Sequence, residues 1–552
     1  MVTTRQTVRT VALATSLLLC TTAVPAAAQP ADTTGHATTP REAPGVPEIA
    51  WGTCDDGAAA FECASVELPS DHDHPHGPTT TVAVTRLPAT DPANRIGSVF
   101  VNFGGPGGEG VSTLHQLGQQ LFEPSVRERF DIVSFDPRAV GQSDPATCYP
   151  DQESELEATS RMLTELPTNR REETRYILES AQLGLACTTT SPDRFSTASS
   201  ANVARDMDLL RQAVGDDELT YVGYSYGTIL GATYGMLFPD SVRAMVLDGP
   251  LDPREWSGVG SDELVNERLL QPRGGHEAFA ELWRLCEKAG PSGCSTAALG
   301  DPAEIAERVL TEIQETPVEV PIGDGETLTY TYTTLVLDTF FSLYGVAGYA
   351  PVADTYTFLA AELGLVNTAR SRTAAPDFDL SRFHRRVEDY PSIGTQLATF
   401  CADTETPGNP WAYPRKVAEL NEQYPHFGLA RGWLGINCVF IPVQDEDAWT
   451  GPWHQSADAP VLVIGTRFDP ATHYDHTAPY ASLWPDARTL TIEGYGHTSV
   501  NAGSPCAHAA IADYLVNVTA ADGATCEGAQ PFEPAEPEPP RREPQGLPFA
   551  GF

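Results

Sequence analysis

The sequence predicts an α/β protein in which a mostly parallel sheet carries helices on both faces. Short apolar segments such as residues 97–102 (GSVFVN) and 130–135 (FDIVSF) alternate with helical segments such as residues 200–214. This alternation favours parallel strands, because a parallel crossover needs a dozen or more residues and usually a helix. The chain of 552 residues is 41% hydrophobic, which is enough to bury a sizeable core.

The same pattern predicts how the domain is divided. Further strands are predicted at residues 65–68, 80–87, 219–222, 244–247, 459–464 and 489–492. Helices replace strands between residues 254 and 455, notably at residues 277–288, 302–315, 333–344 and 349–363. We therefore predict a sheet domain in two parts, residues 48–253 and 456–528, interrupted by a helical insertion at residues 254–455, which we name the cap.

Both ends of the chain are predicted to lie outside the folded domain. Residues 1–28 have an arginine-containing start, an apolar stretch and an alanine-rich cleavage site before Gln29, the three parts of a secretory signal. Residues 29–47 are interpreted as a flexible leader or propeptide, and the Pro/Glu-rich residues 529–552 as a disordered tail. We expect a secreted, extracellular protein that is not attached to a membrane after signal cleavage.

Composition argues against nucleic acid as a partner. The chain has 34 basic and 74 acidic residues and a formal net charge of −40, whereas a phosphate backbone requires a basic surface. Residues 71–76 (DHDHPH) resemble a metal cluster, but they lie between two predicted strands and are interpreted as a solvated hairpin loop. His473 and His476 lack the spacing of a zinc site. We expect no metal and no cofactor, and the sequence leaves the oligomeric state open.

The cysteines indicate disulfides. Eleven are present, and removal of Cys20 with the signal leaves an even number in an exported chain, without any C-x-x-C motif. The sequence alone does not give the connectivity, but the cysteines fall into sequence-adjacent pairs. The expected disulfides are Cys54–Cys63, Cys148–Cys187, Cys286–Cys294, Cys401–Cys438 and Cys506–Cys526.

The motif GYSYG at residues 223–227 is the sharpest chemical signal. A bare G-x-S-x-G is common by chance, but this one directly follows the predicted strand 219–222 and precedes a helical run at residues 228–237. Between a strand and a helix, the motif places its serine on a tight turn, the nucleophile elbow of the α/β-hydrolase fold. We therefore predict that fold, with Ser225 as the nucleophile.

A serine nucleophile needs a base, and the base needs an acid that orients it. In this fold the chain order is serine, acid, histidine. Asp469 follows the predicted strand 459–464, and His497 follows the strand 489–492 in a glycine-rich loop. Both lie past the C-terminal end of a strand, where open α/β sheets place their chemistry. A surface turn and a loop histidine are the alternative readings, and the order and context favour a Ser225, Asp469, His497 triad.

Two backbone N–H groups are predicted to form an oxyanion hole. One belongs to Tyr226, next to the nucleophile, and the other to Gly105 in the loop FGGPGG, which follows strand 97–102. Donors aimed at the developing negative charge contribute about 2.7–4 kcal/mol each in such sites. The loop could instead be a simple turn, but its position after an early buried strand favours the functional reading.

Together these segments resemble the secreted tripeptidyl aminopeptidase-like α/β hydrolases, which are related to the prolyl aminopeptidases. The resemblance covers nearly the whole mature chain and carries the triad over to Ser225, Asp469 and His497. It also implies a helical cap and the release of short peptides, often tripeptides, from free N-termini; other members act on esters. The matching segments are NFGGPGG (102–108), FDPRAVGQSDP (135–145), GYSYGTILG (223–231), DGPLDP (248–253), CADTETP (401–407), GTRFDPAT (465–472) and GYGHTS (494–499).

Three departures from the resemblance leave substrate choice open. Prolyl aminopeptidases have histidine where this chain has Phe103, and the family usually has glycine at Ala139 and proline at His473. The glutamates that hold the substrate amine in prolyl aminopeptidases have no match in this cap.

The leading hypothesis is a serine exopeptidase that releases dipeptides or tripeptides through an acyl-enzyme. The alternative is a carboxylesterase or lactonase with the same triad, and a non-enzymatic binding protein is less compatible with an intact Ser225, Asp469 and His497. Carboxylates in the cap facing Ser225 would indicate the peptidase, and a wholly apolar pocket the esterase.

Overall fold

A ten-stranded sheet lies at the centre of the computed structural model, which describes residues 44–323, 326–367, 392–443 and 445–532. The predicted signal, most of the predicted leader and most of the predicted tail lie outside the described residues. In chain order the strands of this sheet are β1 Gly52–Thr53, β2 Glu62–Pro69, β3 Thr79–Leu87, β4 Gly97–Asn102, β5 Phe130–Phe135, β6 Leu219–Tyr224, β7 Val242–Asp248, β10 Val461–Phe468, β11 Ala487–Tyr495 and β12 Ala524–Glu527.

The strand order across the sheet is β1-β2-β3-β5-β4-β6-β7-β10-β11-β12. Strands β1, β2 and β3 pair antiparallel with their neighbours, including β3 with β5. All pairs from β5 to β12 are parallel. The prediction of a mostly parallel α/β sheet is confirmed.

Side chains on the central strands enter two separate apolar cores. On β4, Val99 packs in one core and Phe100 in the other, and on β6 the same holds for Val222 and Tyr221. Successive residues of a strand point to opposite faces, and strands covered on both faces become uniformly apolar. This is why the predicted segments read as continuous apolar runs.

Helices cover both faces of the sheet. Those outside the insertion are Gly110–Leu121, Pro124–Arg129, Gln152–Thr164, Arg170–Thr190, Pro192–Phe195, Ser200–Ala213, Gly227–Leu237, Thr477–Ala481, Thr498–Ala502 and Pro505–Asn517. Those between β7 and β10 are Pro253–Ser257, Val265–Arg268, Gln271–Gly293, Pro302–Glu315, Tyr332–Ser342, Tyr349–Glu362, Ile393–Asp403, Tyr413–Gln423 and Phe427–Gly432. None of the helices in the described ranges is both long enough and apolar enough to span a lipid bilayer.

The cap has an apolar core that its helices share with the edge of the sheet domain. Helix Pro302–Glu315 shows how the sequence builds it: the carboxylate of Asp301 accepts a hydrogen bond from the N–H of Glu304, and proline occupies the first turn. Its apolar residues recur on one face, and the buried ones include Ile305, Ala306, Val309, Leu310 and Ile313. An antiparallel hairpin, β8 Val318–Gly323 with β9 Glu326–Tyr330, lies in the cap and was not anticipated from the sequence.

Five disulfides join cysteines that are neighbours in the sequence. Two of them lie within the cap, and none of the five connects the cap to the sheet domain. The pairs are Cys54–Cys63, Cys148–Cys187, Cys286–Cys294, Cys401–Cys438 and Cys506–Cys526.

The histidine-rich segment between β2 and β3 is only partly the solvated loop that the sequence suggests. The His74 side chain is 79% exposed, but His72 is 8% exposed. Nε2 of His72 lies 2.9 Å from Oδ1 of the fully buried Asp206, and the Arg138 guanidinium binds the same carboxylate. For His72 the prediction of a solvated residue is wrong. Arg138 and Asp206, which are distant from it along the chain, contact it in a buried cluster of charged side chains.

Candidate active site

Ser225 lies on the tight turn between β6 and helix Gly227–Leu237. Its φ of 57° is unusual for a residue with a side chain and stores strain that the surroundings must hold. Its N–H donates to the carbonyl oxygen of Asp248 (2.9 Å), and its carbonyl oxygen accepts from N–H and Oγ1 of Thr228 (2.8 and 2.7 Å). A Cβ at Gly223 would lie 2.3 Å from the Gly227 carbonyl oxygen, which explains the glycine before the serine.

Asp469 and His497 form a buried pair, each about 1% exposed. Nδ1 of His497 lies 2.9 Å from Oδ2 and 3.1 Å from Oδ1 of Asp469. The carboxylate also accepts from the N–H groups of Ala471 and Thr472, both at 2.8 Å. An acceptor fixed in this way favours the tautomer with the proton on Nδ1, which leaves Nε2 of His497 as a base.

Ser225 and His497 both lie against one short segment, Asp248 and Gly249. Ser225 binds the backbone of Asp248, and a Cβ at the next residue, Gly249, would lie 3.4 Å from Cε1 of His497. The three residues singled out in the sequence follow the C-terminal ends of β6, β10 and β11, and β7 lies between β6 and β10 in the sheet.

Two residues near this group were missed in the sequence. Oγ1 of Thr472 donates to Oδ2 of Asp469 at 2.7 Å. Asp248 is fully buried at the end of β7, and its carboxyl group accepts from the N–H of Ser499 (3.0 Å), two residues after His497. Burial raises the pKa of Asp248 to about 7. Asp248 therefore holds the turn of Ser225 with its backbone and the loop of His497 with its side chain. The only sequence signal for it is the motif DGPLDP.

The glycine-rich loop after β4 lies directly against the nucleophile turn. A Cβ at Gly104 would lie 2.7 Å from the Tyr224 carbonyl oxygen and 3.0 Å from Cβ of Ser225, at a φ of +97°. The N–H of Gly104 donates to Oδ1 of Asn102. Neither the N–H of Gly105 nor that of Tyr226 donates to an acceptor in the described part of the chain. Both groups are therefore available to an oxyanion next to Ser225.

A cleft of mixed polarity separates Ser225 from the cap. Among the described residues that line it, none is a carboxylate, so neither the acidic pocket nor the wholly apolar pocket is observed. Three amide side chains, one guanidinium group, a serine and a tyrosine are its polar lining residues. The lining residues are Gly105, Pro106, Ser225, Leu251, Trp256, Asn266, Leu269, Gln271, Tyr344, Gln396, Phe400, Arg431, Leu434 and Ala471.

Comparisons with known proteins agree with this geometry. A family model described as the α/β-hydrolase fold matches residues 99–281, and one described as TAP-like protein matches residues 424–526. The serine protease Hip1 of Mycobacterium tuberculosis is 30% identical over 483 residues, which is 84% of this chain and 87% of that protein. The chain belongs to the tripeptidyl aminopeptidase-like family of α/β hydrolases. The predicted family is confirmed.

Other relatives of this tripeptidyl aminopeptidase-like hydrolase are named after different activities. A tripeptidyl aminopeptidase of Streptomyces lividans is 26% identical over 467 residues, 83% of this chain and 81% of that protein. A protein named carboxylesterase B from Mycobacterium tuberculosis is 29% identical over 504 residues, 87% of this chain and 90% of that protein. The family therefore includes proteins named as peptidases and proteins named as carboxylesterases. Membership of the family supports a serine hydrolase but does not identify its substrate.

The three departures from the family pattern have local explanations in this hydrolase. Phe103 is buried, with its ring stacked 6.3 Å from that of Tyr224. Ala139 has a φ of 68°, the left-handed region in which glycine is favoured, which accounts for the usual family residue there. Nε2 of His473 lies 3.1 Å from Oε2 of Glu277 on helix Gln271–Gly293, so this substitution links the sheet domain to the cap.

The cap of this hydrolase also supports the histidine loop. The backbone N–H of His497 donates to the carbonyl oxygen of Tyr344 at 2.7 Å, and the two rings lie edge to face at 5.0 Å. A Cβ at Gly496, whose φ is +95°, would lie 2.8 Å from the same carbonyl oxygen. The candidate base therefore depends on the cap for its position.

A buried carboxyl group fixes another part of the cap to the sheet domain. Asp403 ends helix Ile393–Asp403, and its oxygens accept from the N–H (3.0 Å) and Oγ (2.5 Å) of Ser200. Oγ of Ser200 is also 2.6 Å from the Tyr226 hydroxyl, next to the nucleophile. The same cap helix places Gln396 in the cleft.

We expect Asp403→Asn to change how stability depends on pH. Burial raises the pKa of Asp403 to about 7, whereas an unfolded aspartate has a pKa of about 3.9. Between these values the folded state binds more protons, so the unfolding free energy of the wild type falls as pH rises. The asparagine variant lacks this loss of stability. Its melting temperature minus that of the wild type should therefore be larger at pH 7.5 than at pH 5.

Thermal unfolding at both pH values measures this difference directly, with Asp240→Asn, an exposed residue, as the matched control. A melting-temperature difference between variant and wild type that is equal at pH 5 and pH 7.5 would contradict the prediction.

Proposed function

We propose that this chain is an exported serine exopeptidase that releases short peptides, dipeptides or tripeptides, from free N-termini. The observation that carries the proposal is a covered cleft in which Ser225, only 8% exposed, lies between the glycine-rich loop and cap helices. A cleft that is covered in this way suits a chain end better than the middle of a protein loop.

The proposed mechanism assigns each residue one task. Nε2 of His497 removes the proton of Ser225, whose Oγ attacks the carbonyl carbon of the scissile bond. The N–H groups of Tyr226 and Gly105 stabilise the oxyanion, and Tyr226 stands at the N-terminus of a helix whose dipole adds to this effect. The protonated His497 then gives its proton to the leaving amine, and the peptide fragment stays on Ser225 as an acyl-enzyme.

In the second half-reaction, water replaces the amine. His497 takes a proton from the water, and the hydroxide attacks the ester carbonyl. His497 then returns this proton to Oγ of Ser225 as the ester bond breaks, and the fragment leaves as a carboxylic acid. Asp469 holds the imidazole and stabilises its charged form through both half-reactions.

Relatives and disulfides support the peptidase and its export. Relatives that cover most of this chain are named serine protease and tripeptidyl aminopeptidase. Five disulfides suit an oxidising compartment outside the cytosol.

The second candidate is a carboxylesterase or lactonase that uses the same residues. Two observations favour it: a relative is named carboxylesterase B, and no carboxylate is found among the described residues of the cleft to pair with a substrate ammonium group.

A panel of fluorogenic amides distinguishes the candidates. We expect tripeptide and dipeptide amides with a free N-terminus to be cleaved, and N-acetylation to lower kcat/KM at least tenfold, because the covered cleft has to hold the chain end. Casein should remain intact. Rapid cleavage of acetylated peptides or of casein would contradict the exopeptidase, and hydrolysis of short-chain esters without any peptide cleavage would establish the second candidate.

A further inference from the structure

Asn266 is a buried residue of the cleft, and only one end of its side-chain amide is hydrogen-bonded in the described part of the chain. It lies on helix Val265–Arg268 in the cap, is 1% exposed, and lines the same cleft as Ser225. Its Nδ2 donates to the backbone carbonyl oxygen of Arg431 at 2.8 Å. Its Oδ1 is buried and has no hydrogen-bond partner in the described part of the chain.

The hydrogen bond to Arg431 fixes which end of the amide is unpaired. A backbone carbonyl can only accept, so the donor Nδ2 must face it and the acceptor Oδ1 must face away. Gln271, another amide of the cleft, differs in this respect, because its Oε1 already accepts from the Arg431 guanidinium at 2.9 Å. Asn266 therefore offers an acceptor that Gln271 does not.

A buried acceptor of this kind normally has a partner. Around Asn266 the cleft is largely lined by apolar side chains, among them Leu251, Leu269 and Leu434. These three side chains carry no donor, and no donor of the described residues is hydrogen-bonded to Oδ1. A substrate that enters the cleft is therefore a source of the missing donor. An acyl chain made only of carbon and oxygen leaves Oδ1 unpaired, whereas a peptide carries N–H groups along its whole length.

We propose that Oδ1 of Asn266 accepts a hydrogen bond from an N–H group in the acyl part of the substrate, and so selects peptides over acyl chains that lack this donor. The inference rests on the proposed function only in that the acyl part occupies this cleft. The donor is either the terminal ammonium group or a peptide N–H.

Three 4-nitrophenyl esters test the proposal, since they share one leaving group and need no peptidase activity. They are the esters of alanine, N-acetylalanine and O-acetyllactic acid, the last with oxygen in place of the N–H group. We expect wild-type kcat/KM to be about 5- to 150-fold lower for the lactic ester than for the N-acetylalanine ester. A kcat/KM that is higher for the free alanine ester than for the N-acetylalanine ester would assign the donor to the ammonium group. Equal kcat/KM values for these two esters would assign it to the peptide N–H group.

Asn266→Leu, which has a similar shape without the acceptor, should reduce this discrimination to about threefold or less. The matched control Leu434→Ala changes the cleft volume but no polar group, and it should keep the wild-type ratio even if its rates fall. Labelling of Ser225 by a fluorophosphonate probe shows that each variant is folded.

Two results overturn the proposal: a wild type that hydrolyses the lactic ester as well as the N-acetylalanine ester, or an Asn266→Leu variant with the full wild-type ratio. The first needs no variant, so a misfolded Asn266→Leu protein cannot obscure it. Failure of the amide panel with retained ester discrimination would refute the exopeptidase and leave the role of Asn266 standing.

Discussion

Ser225→Ala is expected to lower kcat on the order of 10⁶-fold while the protein stays folded. Removing the nucleophile stops acyl-enzyme formation, and the residual rate comes from binding and from the oxyanion donors alone. One hydroxyl group on a residue that is 8% exposed contributes little to packing, and alanine tolerates the φ of 57° about as well as serine does. Turnover of a short-chain ester and thermal unfolding measure the two effects.

The control and the second variant make this prediction specific. Ser482→Ala, at an exposed position outside the cleft, should retain wild-type turnover. His497→Ala should be nearly as inactive as Ser225→Ala, and the double variant no worse than either, because members of a triad act as a unit. Near-wild-type turnover of Ser225→Ala, or its undiminished labelling by a fluorophosphonate, would refute the assignment.

The elements around the motifs could be predicted because local signals and the fold agree there. Strands β4 and β5 follow the predicted segments residue for residue. Both strands are buried on both faces, so their apolar runs are unbroken, and turns at their ends stop them cleanly. Helix Pro302–Glu315 has a capping aspartate and a proline at its start, and it also begins and ends as predicted.

Residues that depend on distant partners could not be predicted in the same way. His72 is buried only because Arg138 and Asp206 are brought to it from other parts of the chain. Asp248 resembles any acidic residue at a strand end until Ser499 is placed against it. Asn266 carries no motif, and its proposed role depends on an amide oxygen that has no hydrogen-bond partner among the described residues. Sequence spacing describes neighbours along the chain, whereas these roles come from tertiary contacts.

The sequence pattern indicated a helical insertion, but it did not indicate which polar groups of this insertion line the cleft. Loss of strand alternation marks an insertion. Carboxylates facing Ser225 were the feature that would indicate a peptidase, but the overall charge of −40 does not determine where individual carboxylates lie. Glu277 shows the difference, because it lies on a cap helix yet pairs with His473 instead of lining the cleft.

Asp469→Asn is expected to lower kcat about 10⁴-fold without unfolding the protein. In the wild type the carboxylate accepts from Nδ1 of His497 at 2.9 Å, and in the proposed mechanism this leaves Nε2 as the base that takes the proton of Ser225. An asparagine amide can present its NH₂ group to Nδ1, and the imidazole then holds its proton on Nε2, where it cannot act as the base. The shape of the side chain is unchanged, so the loss should appear in kcat more than in KM.

Thr472→Val separates the charge of Asp469 from its orientation. It removes the hydrogen bond from Oγ1 to Oδ2 of Asp469 (2.7 Å) but leaves the carboxylate, which still accepts from the backbone N–H of Ala471. Losing one hydrogen bond to a charged group corresponds to roughly 10- to 150-fold in kcat, well short of the asparagine variant. Steady-state hydrolysis of a short-chain ester by both variants ranks the two effects. If Asp469→Asn stays within tenfold of the wild type, the acid that orients His497 lies elsewhere, and the buried Asp248 becomes the residue to test.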